Sequence, residues 1–161
     1  IFSFILYRFM FFKIVPDEMT PPYWINMGAV AITTLAGANI LLKNTSPFLT
    51  ELIPFIKGFT LFFWAAGTWW IPLLFILGAW RHIYKRYPLT YHPFYWGLVF
   101  PLGMYTVATF RLAQVMKLDF LFLIPNVFIY LALIAWTAAI FGLARQLVAA
   151  FLKTEAVGQD K

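Results

Sequence analysis

The residues that could do chemistry in this chain are few. The sequence has two histidines, six acidic residues and no cysteine. His82 and His92 stand at or outside the ends of apolar runs, and no carboxylate lies within such a run. Disulfides, thiolate metal sites and cysteine-based catalysis are therefore excluded. No buried carboxylate pair, Ser-His-Asp set or glycine-rich phosphate loop is evident. We expect no enzymatic activity, no metal and no cofactor.

The remaining candidate is the apolar segment from Tyr91 to Gln114, which contains the pair Phe100-Pro101. A proline inside a helix has no N–H group, so the carbonyl of Gly97 loses its helical partner. Within lipid, such a carbonyl is tolerated only where protein or a water-filled cavity covers it. The segment is therefore predicted to face a bundle interior or a pore, with Phe100 beside the distortion. The alternative is that Phe100 is a packed aromatic residue next to an ordinary kink.

Composition identifies the class of protein that must position this segment. The 161 residues are 63% hydrophobic and 11% charged, with a mean hydropathy of +0.81. A soluble domain is closer to half apolar and a quarter charged, so the chain is predicted to be an all-α integral membrane protein. The net charge of +6 does not indicate nucleic-acid binding, because most lysines and arginines flank apolar runs, as the positive-inside rule describes.

Five membrane spans are predicted, at about residues 1–12, 23–42, 53–80, 94–112 and 120–151. They form one transmembrane domain over residues 1–152, followed by a polar tail at 153–161. The first span is short and begins inside an apolar run, which is typical of the back half of a longer protein or of a version lacking its start. The basic loop 81–86 and Arg145 fall on the side of the tail, so the C-terminus is predicted to be cytoplasmic in the plasma membrane (bacterial inner membrane).

Small residues mark the second and fourth spans as inner helices. Ala29, Thr33 and Gly37 recur every four residues, which favours a packing seam, the lining of a conduit, or both. Arg111 is either a snorkelling or carboxylate-paired cation, or a residue that attracts anions to a pore mouth. The predicted pore-lining or kink residues are Gly97, Pro101, Gly103, Thr106, Thr109, Thr33, Thr34 and Gly37.

The run from Tyr95 to Thr109 resembles the ninth helix of the tellurite-resistance/dicarboxylate transporter family. The pattern W-x-x-x-F-P-x-G, which characterises that helix, is present as Trp96 to Gly103. Residues 5–8 resemble the end of the sixth helix of the family, and residues 21–37 resemble the seventh. The family includes bacterial tellurite-resistance proteins, fungal malic acid transporters and plant slow anion channels.

The resemblance implies that the five spans correspond to helices six to ten of a ten-helix pseudo-fivefold ring. Odd-numbered helices would line a central pore, Phe100 would occlude it, and the protein would be a homotrimer with one pore per subunit. The implied function is transport of small anions or C4-dicarboxylates through this pore. The alternative is a structural or accessory membrane subunit that uses the fold for packing in a larger complex. The expected partners are small anions and the lipid bilayer, not nucleic acid.

Overall fold

The computed structural model describes residues 7, 10–11, 21–43, 46–88 and 90–158. Its α-helices are α1 (Ile25–Leu42), α2 (Pro47–Ala79), α3 (Trp96–Met116) and α4 (Leu123–Gly158). Four helical stretches built on these helices are long and apolar enough to cross a membrane. The first predicted span lies outside the described residues apart from positions 7, 10 and 11. The all-helical membrane class is confirmed for the described part of the chain.

Short segments of other helical types adjoin the α-helices. Single 3-10 turns, Pro21–Trp24, Pro93–Tyr95 and Asp119–Phe122, precede α1, α3 and α4. A π-helical segment, Trp80–Tyr84, continues α2 into the basic loop. Two of the 3-10 turns begin with proline, at positions 21 and 93. Proline is tolerated there because the first N–H groups of a helix have no partner within it.

The largest differences from the predicted span boundaries are at the start of α2 and at the end of α4. Helix α2 begins at Pro47, not near residue 53, with Ser46 as an extended N-cap residue before it. Proline is favoured at the first helical position. The helix therefore begins at Pro47, ahead of the apolar run that was predicted to start near residue 53. Helix α4 continues to Gly158, into the segment predicted as a polar tail.

Neighbouring helices along the chain are antiparallel. Gly67 of α2 lies against Val30 of α1, and Gly37 of α1 lies against Thr60 further back in α2. Between α2 and α3, the Tyr105 hydroxyl is hydrogen-bonded to that of Thr68 at 2.8 Å, and Thr109, later in α3, to Trp64, earlier in α2. Helices α1 and α3 therefore run in the same direction, opposite to α2.

Helix α3 is the centre of the described bundle. It packs against α1, α2 and α4. The ring centroids of Tyr105 and Phe128 lie 4.9 Å apart and join it to α4. Helices α2 and α4 expose large apolar side chains on their outer surfaces, including Trp69, which is 80% exposed, and Phe141. These surfaces suit contact with lipid, because lipid offers no hydrogen-bond partners and apolar side chains need none.

Candidate functional site

One face of α3 is left open by its neighbours in the described bundle. It consists of Phe100, Gly103, Val107, Arg111 and Gln114, which we call the open face of α3. Their spacing of three and four residues places them on one side of the helix. Phe100 is 54% exposed and Val107 is 46% exposed. Arg111 and Gln114 are also exposed, and Gly103 is half-buried.

The opposite side of α3 is packed against the other helices. Its buried residues are Pro101, Leu102, Tyr105, Thr106, Ala108, Thr109, Leu112 and Ala113. A helix that is apolar on nearly all sides has no sequence signal for which side is covered. The division into open and buried sides therefore comes from packing against α1, α2 and α4.

Helix α1 has a matching open side. Ile25, Ala29, Ile32, Ala36 and Ile40 are exposed and recur every three or four residues. Helices α1 and α3 are parallel neighbours that pack on one another; α2 packs on both of them, and α4 packs on α3. Each of these two neighbouring helices therefore keeps one side uncovered in the described bundle.

Phe100 and Pro101 are adjacent in sequence but point to different surroundings. Pro101 is fully buried and lies against Gly28 of α1. Phe100 stands on the open face of α3, one helical turn before Gly103. No atom of the described residues beyond the local backbone lies within 4 Å of a methyl group placed on Gly103. The structure thus leaves free space beside Gly103, one helical turn from Phe100. Gly97 is half-buried. Its carbonyl lacks a helical hydrogen bond, because Pro101 has no N–H group to donate.

Arg111 provides the positive charge on the open face of α3. Its Nη1 donates a hydrogen bond to Oε1 of Gln114, with 3.1 Å between the two atoms. The partner is a neutral amide, so the contact orients the guanidinium group without neutralising it. A cation held in this way is able to attract anions to that end of the surface.

Three of the predicted lining threonines lie between helices in the described bundle. Thr34 and Thr106 donate to their own helices, at Val30 O (2.9 Å) and Leu102 O (2.8 Å). Thr109 accepts a hydrogen bond of 3.0 Å from the indole Nε1 of Trp64. Each of these hydroxyl groups already has a partner within the protein.

The other two predicted lining residues of α1 differ from one another. Thr33 is half-buried at the edge of the open side, where it donates to Ala29 O at 3.1 Å. Gly37 lies against Thr60 and so belongs to the contact between α1 and α2. Sequence reasoning missed Val107 and Gln114 as members of the open face of α3. Their helical spacing from Phe100 and Arg111 is the signal that could have identified them.

A separate cavity of about 340 Å³ lies between the start of α3 and the middle of α4. Its lining residues are Thr90, Tyr91, Tyr95, Leu98, Ala135, Ala138 and Ala139. None of them belongs to the open face of α3, so this cavity is distinct from the surface that carries Phe100. The described residues contain no group of three or more His, Cys, Asp or Glu side chains that could hold a metal ion.

Comparison with known proteins places the chain among membrane transport proteins. Residues 1–144 match the family model SLAC1, described as voltage-dependent anion channel. An uncharacterized membrane protein of Mycobacterium tuberculosis is 37% identical over 147 residues, which are 91% of this chain and 75% of the relative.

Two longer relatives come from Methanocaldococcus jannaschii. An uncharacterized transporter is 34% identical over 105 residues, 65% of this chain and 29% of the relative. A second uncharacterized transporter of this organism is 32% identical over 113 residues, 70% of this chain and 31% of the relative. No solved structure gives a significant match.

Proposed function

The chain belongs to the SLAC1 family, voltage-dependent anion channel, and we propose that it forms part of the wall of a membrane conduit for small anions. The observation that carries this proposal is the open face of α3. That face combines an exposed aromatic residue at a proline, a glycine with free space beside it, and an exposed arginine. The exposed side of the neighbouring helix α1 is proposed to line the same conduit.

The charge of this surface favours anions over cations. The six acidic residues are Asp17, Glu18, Glu51, Asp119, Glu155 and Asp160. None of them lies within α1 or α3, while Arg111 stands on the open face of α3. A conduit that has cations near its mouth and no fixed negative charge along its wall lowers the electrostatic barrier for an anion.

Phe100 is proposed as the gate of this conduit. An apolar ring that projects into a narrow pore blocks it by excluding water and ions, and conduction begins when the ring moves aside. Gly103 leaves space beside the ring on the same face. Pro101 has no N–H group to donate to the carbonyl of Gly97, so one helical hydrogen bond is missing here. This gap lowers the energy needed for such movement.

The finer features of the transporter are proposals that follow from the family. We propose that the substrates are small inorganic anions or C4-dicarboxylates and that the intact protein is a homotrimer with one pore per subunit. The five spans would correspond to helices six to ten of a ten-helix ring. The positive-inside rule places the basic loop 81–86 and the end of α4 in the cytoplasm.

Anion flux through the intact protein in liposomes tests the proposal. Phe100→Ala removes the ring from the conduit and is expected to raise chloride or malate flux several-fold. The matched control is Phe62→Ala on α2, whose ring is 65% exposed on the outer surface of the bundle. An unchanged flux in Phe100→Ala, with normal yield and oligomeric state, would remove Phe100 from the gate.

The second candidate function is a structural or accessory subunit of a larger membrane complex. It is favoured by the large aromatic residues exposed on the outer helices, such as Trp69 and Phe141. Purification in mild detergent distinguishes the two. A homotrimer agrees with the conduit, whereas stable co-purification with unrelated membrane chains agrees with the accessory role.

A further inference from the structure

A close contact between α1 and α3 involves the proline next to Phe100. Gly28 of α1 is buried. A methyl group placed on Gly28 would lie 3.0 Å from Cγ, 3.2 Å from Cβ and 3.4 Å from Cα of Pro101. The backbone of α1 therefore packs directly on the proline ring, and a methyl group at position 28 would require Pro101 to shift by a few tenths of an ångström.

The contact is stiff because the atoms of Pro101 that face Gly28 belong to a ring closed onto the backbone. A proline ring cannot turn away as an ordinary side chain does. A methyl group on Gly67 of α2 would instead meet Cγ2 of Val30 at 2.9 Å, which is the end of a side chain. No atom beyond the local backbone lies within 4 Å of a methyl group on Gly58 or Gly78 in the described bundle.

Phe100 is joined to Pro101 by a peptide bond, so their Cα atoms are about 3.8 Å apart. A displacement of Pro101 away from α1 therefore moves the backbone that carries the Phe100 ring. We propose that Gly28 is a positioning residue, which sets where Phe100 stands by allowing α1 to seat the Pro101 ring. This inference rests on the proposed role of Phe100 as the gate.

Gly28→Ala in the intact protein tests the inference. The added methyl group displaces Pro101 and misaligns the ring, so anion flux in liposomes is expected to rise several-fold, though less than in Phe100→Ala. Gly78→Ala is the control, because its methyl group meets no neighbour, and its flux should equal that of the unmodified protein. A purely structural effect of Gly28→Ala would also change flux when no ring is present.

The Phe100→Ala background distinguishes an effect that acts through the Phe100 ring from a purely structural effect of Gly28→Ala. Adding Gly28→Ala to Phe100→Ala is expected to leave flux unchanged, since no ring remains to be positioned. Equal fold-changes in the two backgrounds would overturn the positioning role, as would a Gly28→Ala protein with unaltered flux. If Phe100→Ala itself has no effect, the gate proposal fails, and this result is distinct from the other two.

A second pair of variants applies if Gly28→Ala does not yield a monodisperse protein. Pro101→Ala removes the Cγ atom that lies closest to Gly28 and opens the ring, while Cβ at 3.2 Å remains. Gly28→Ala is therefore expected to lower the yield less in the Pro101→Ala background than in the native background. An equal or larger loss of yield in the Pro101→Ala background would contradict the steric basis of the inference.

Discussion

The indole nitrogen of Trp64 donates a hydrogen bond to the hydroxyl of Thr109 across the boundary between α2 and α3, at 3.0 Å. Thr109 is fully buried. One helical turn away, the hydroxyl groups of Thr68 and Tyr105 form a second link between the same helices, at 2.8 Å. These two polar contacts hold the central helix against an outer helix, on the side away from the open face of α3.

Thr109→Val should therefore reduce stability more than it alters conduction. It keeps the shape of the side chain but leaves the indole N–H of Trp64 without its acceptor, at a cost of about 1 kcal/mol. The measurement is thermal unfolding of the purified protein in detergent. Thr137→Val on α4 is the control, because Thr137 is exposed and donates only to its own helix at Leu133 O. Equal melting temperatures for the two variants would contradict the importance of the Trp64 contact.

Cysteine accessibility should separate the open face of α3 from its buried side. The 161 residues contain no cysteine, so they add no background to a single introduced thiol. Val107→Cys in the intact protein should react with a water-soluble anionic thiol reagent. Ala108→Cys should be protected, because position 108 is 0% exposed. Phe62→Cys faces outward, and lipid is expected to shield it from the same reagent. Protection of Val107→Cys would show that the open face of α3 does not line an aqueous path.

Gly103→Leu should narrow the proposed conduit. The leucine side chain would extend into the free space beside position 100, so anion flux is expected to fall several-fold when measured in the Phe100→Ala background. Gly78→Leu adds the same side chain to α2 at a site with no neighbour within 4 Å of the first carbon. A Gly103→Leu protein that conducts as well as this control would place the conduit elsewhere.

Arg111→Gln should weaken the attraction of anions, again in the Phe100→Ala background. Glutamine keeps an amide that is able to bond Gln114 but removes the positive charge. Flux is expected to fall several-fold at about 0.01 M salt, where charges act over roughly 30 Å, and to recover towards the parent value at about 1 M salt. The comparison variant is Lys117→Gln, which removes a positive charge at the exposed end of α3 and is measured at the same two salt concentrations. A loss of flux that persists unchanged at high salt would argue against an electrostatic role for Arg111.

From the sequence alone, the membrane class, four of the helical spans and the family could be established. Long apolar runs bounded by charges and prolines indicate membrane-spanning helices strongly, because a span must be long enough to cross the bilayer and must satisfy its own backbone hydrogen bonds. The pattern from Trp96 to Gly103 was sufficient to indicate the family, and the match over residues 1–144 confirms it. Small residues in α1 and α3, together with the same resemblance, predict that these two are inner helices of a ring, which stays a prediction.

Helix boundaries and the direction of individual side chains depended on tertiary structure. Proline at position 47 starts α2 before its apolar run, and α4 persists beyond the apolar run to Gly158. Thr106 and Thr109 were indistinguishable from pore-lining residues in the sequence, yet they lie on the buried side of α3. A helix that is apolar all round has no periodic pattern to mark its faces. Only the positions of the neighbouring helices decide that Phe100 is open, that Pro101 is buried, and that Gly28 lies against it.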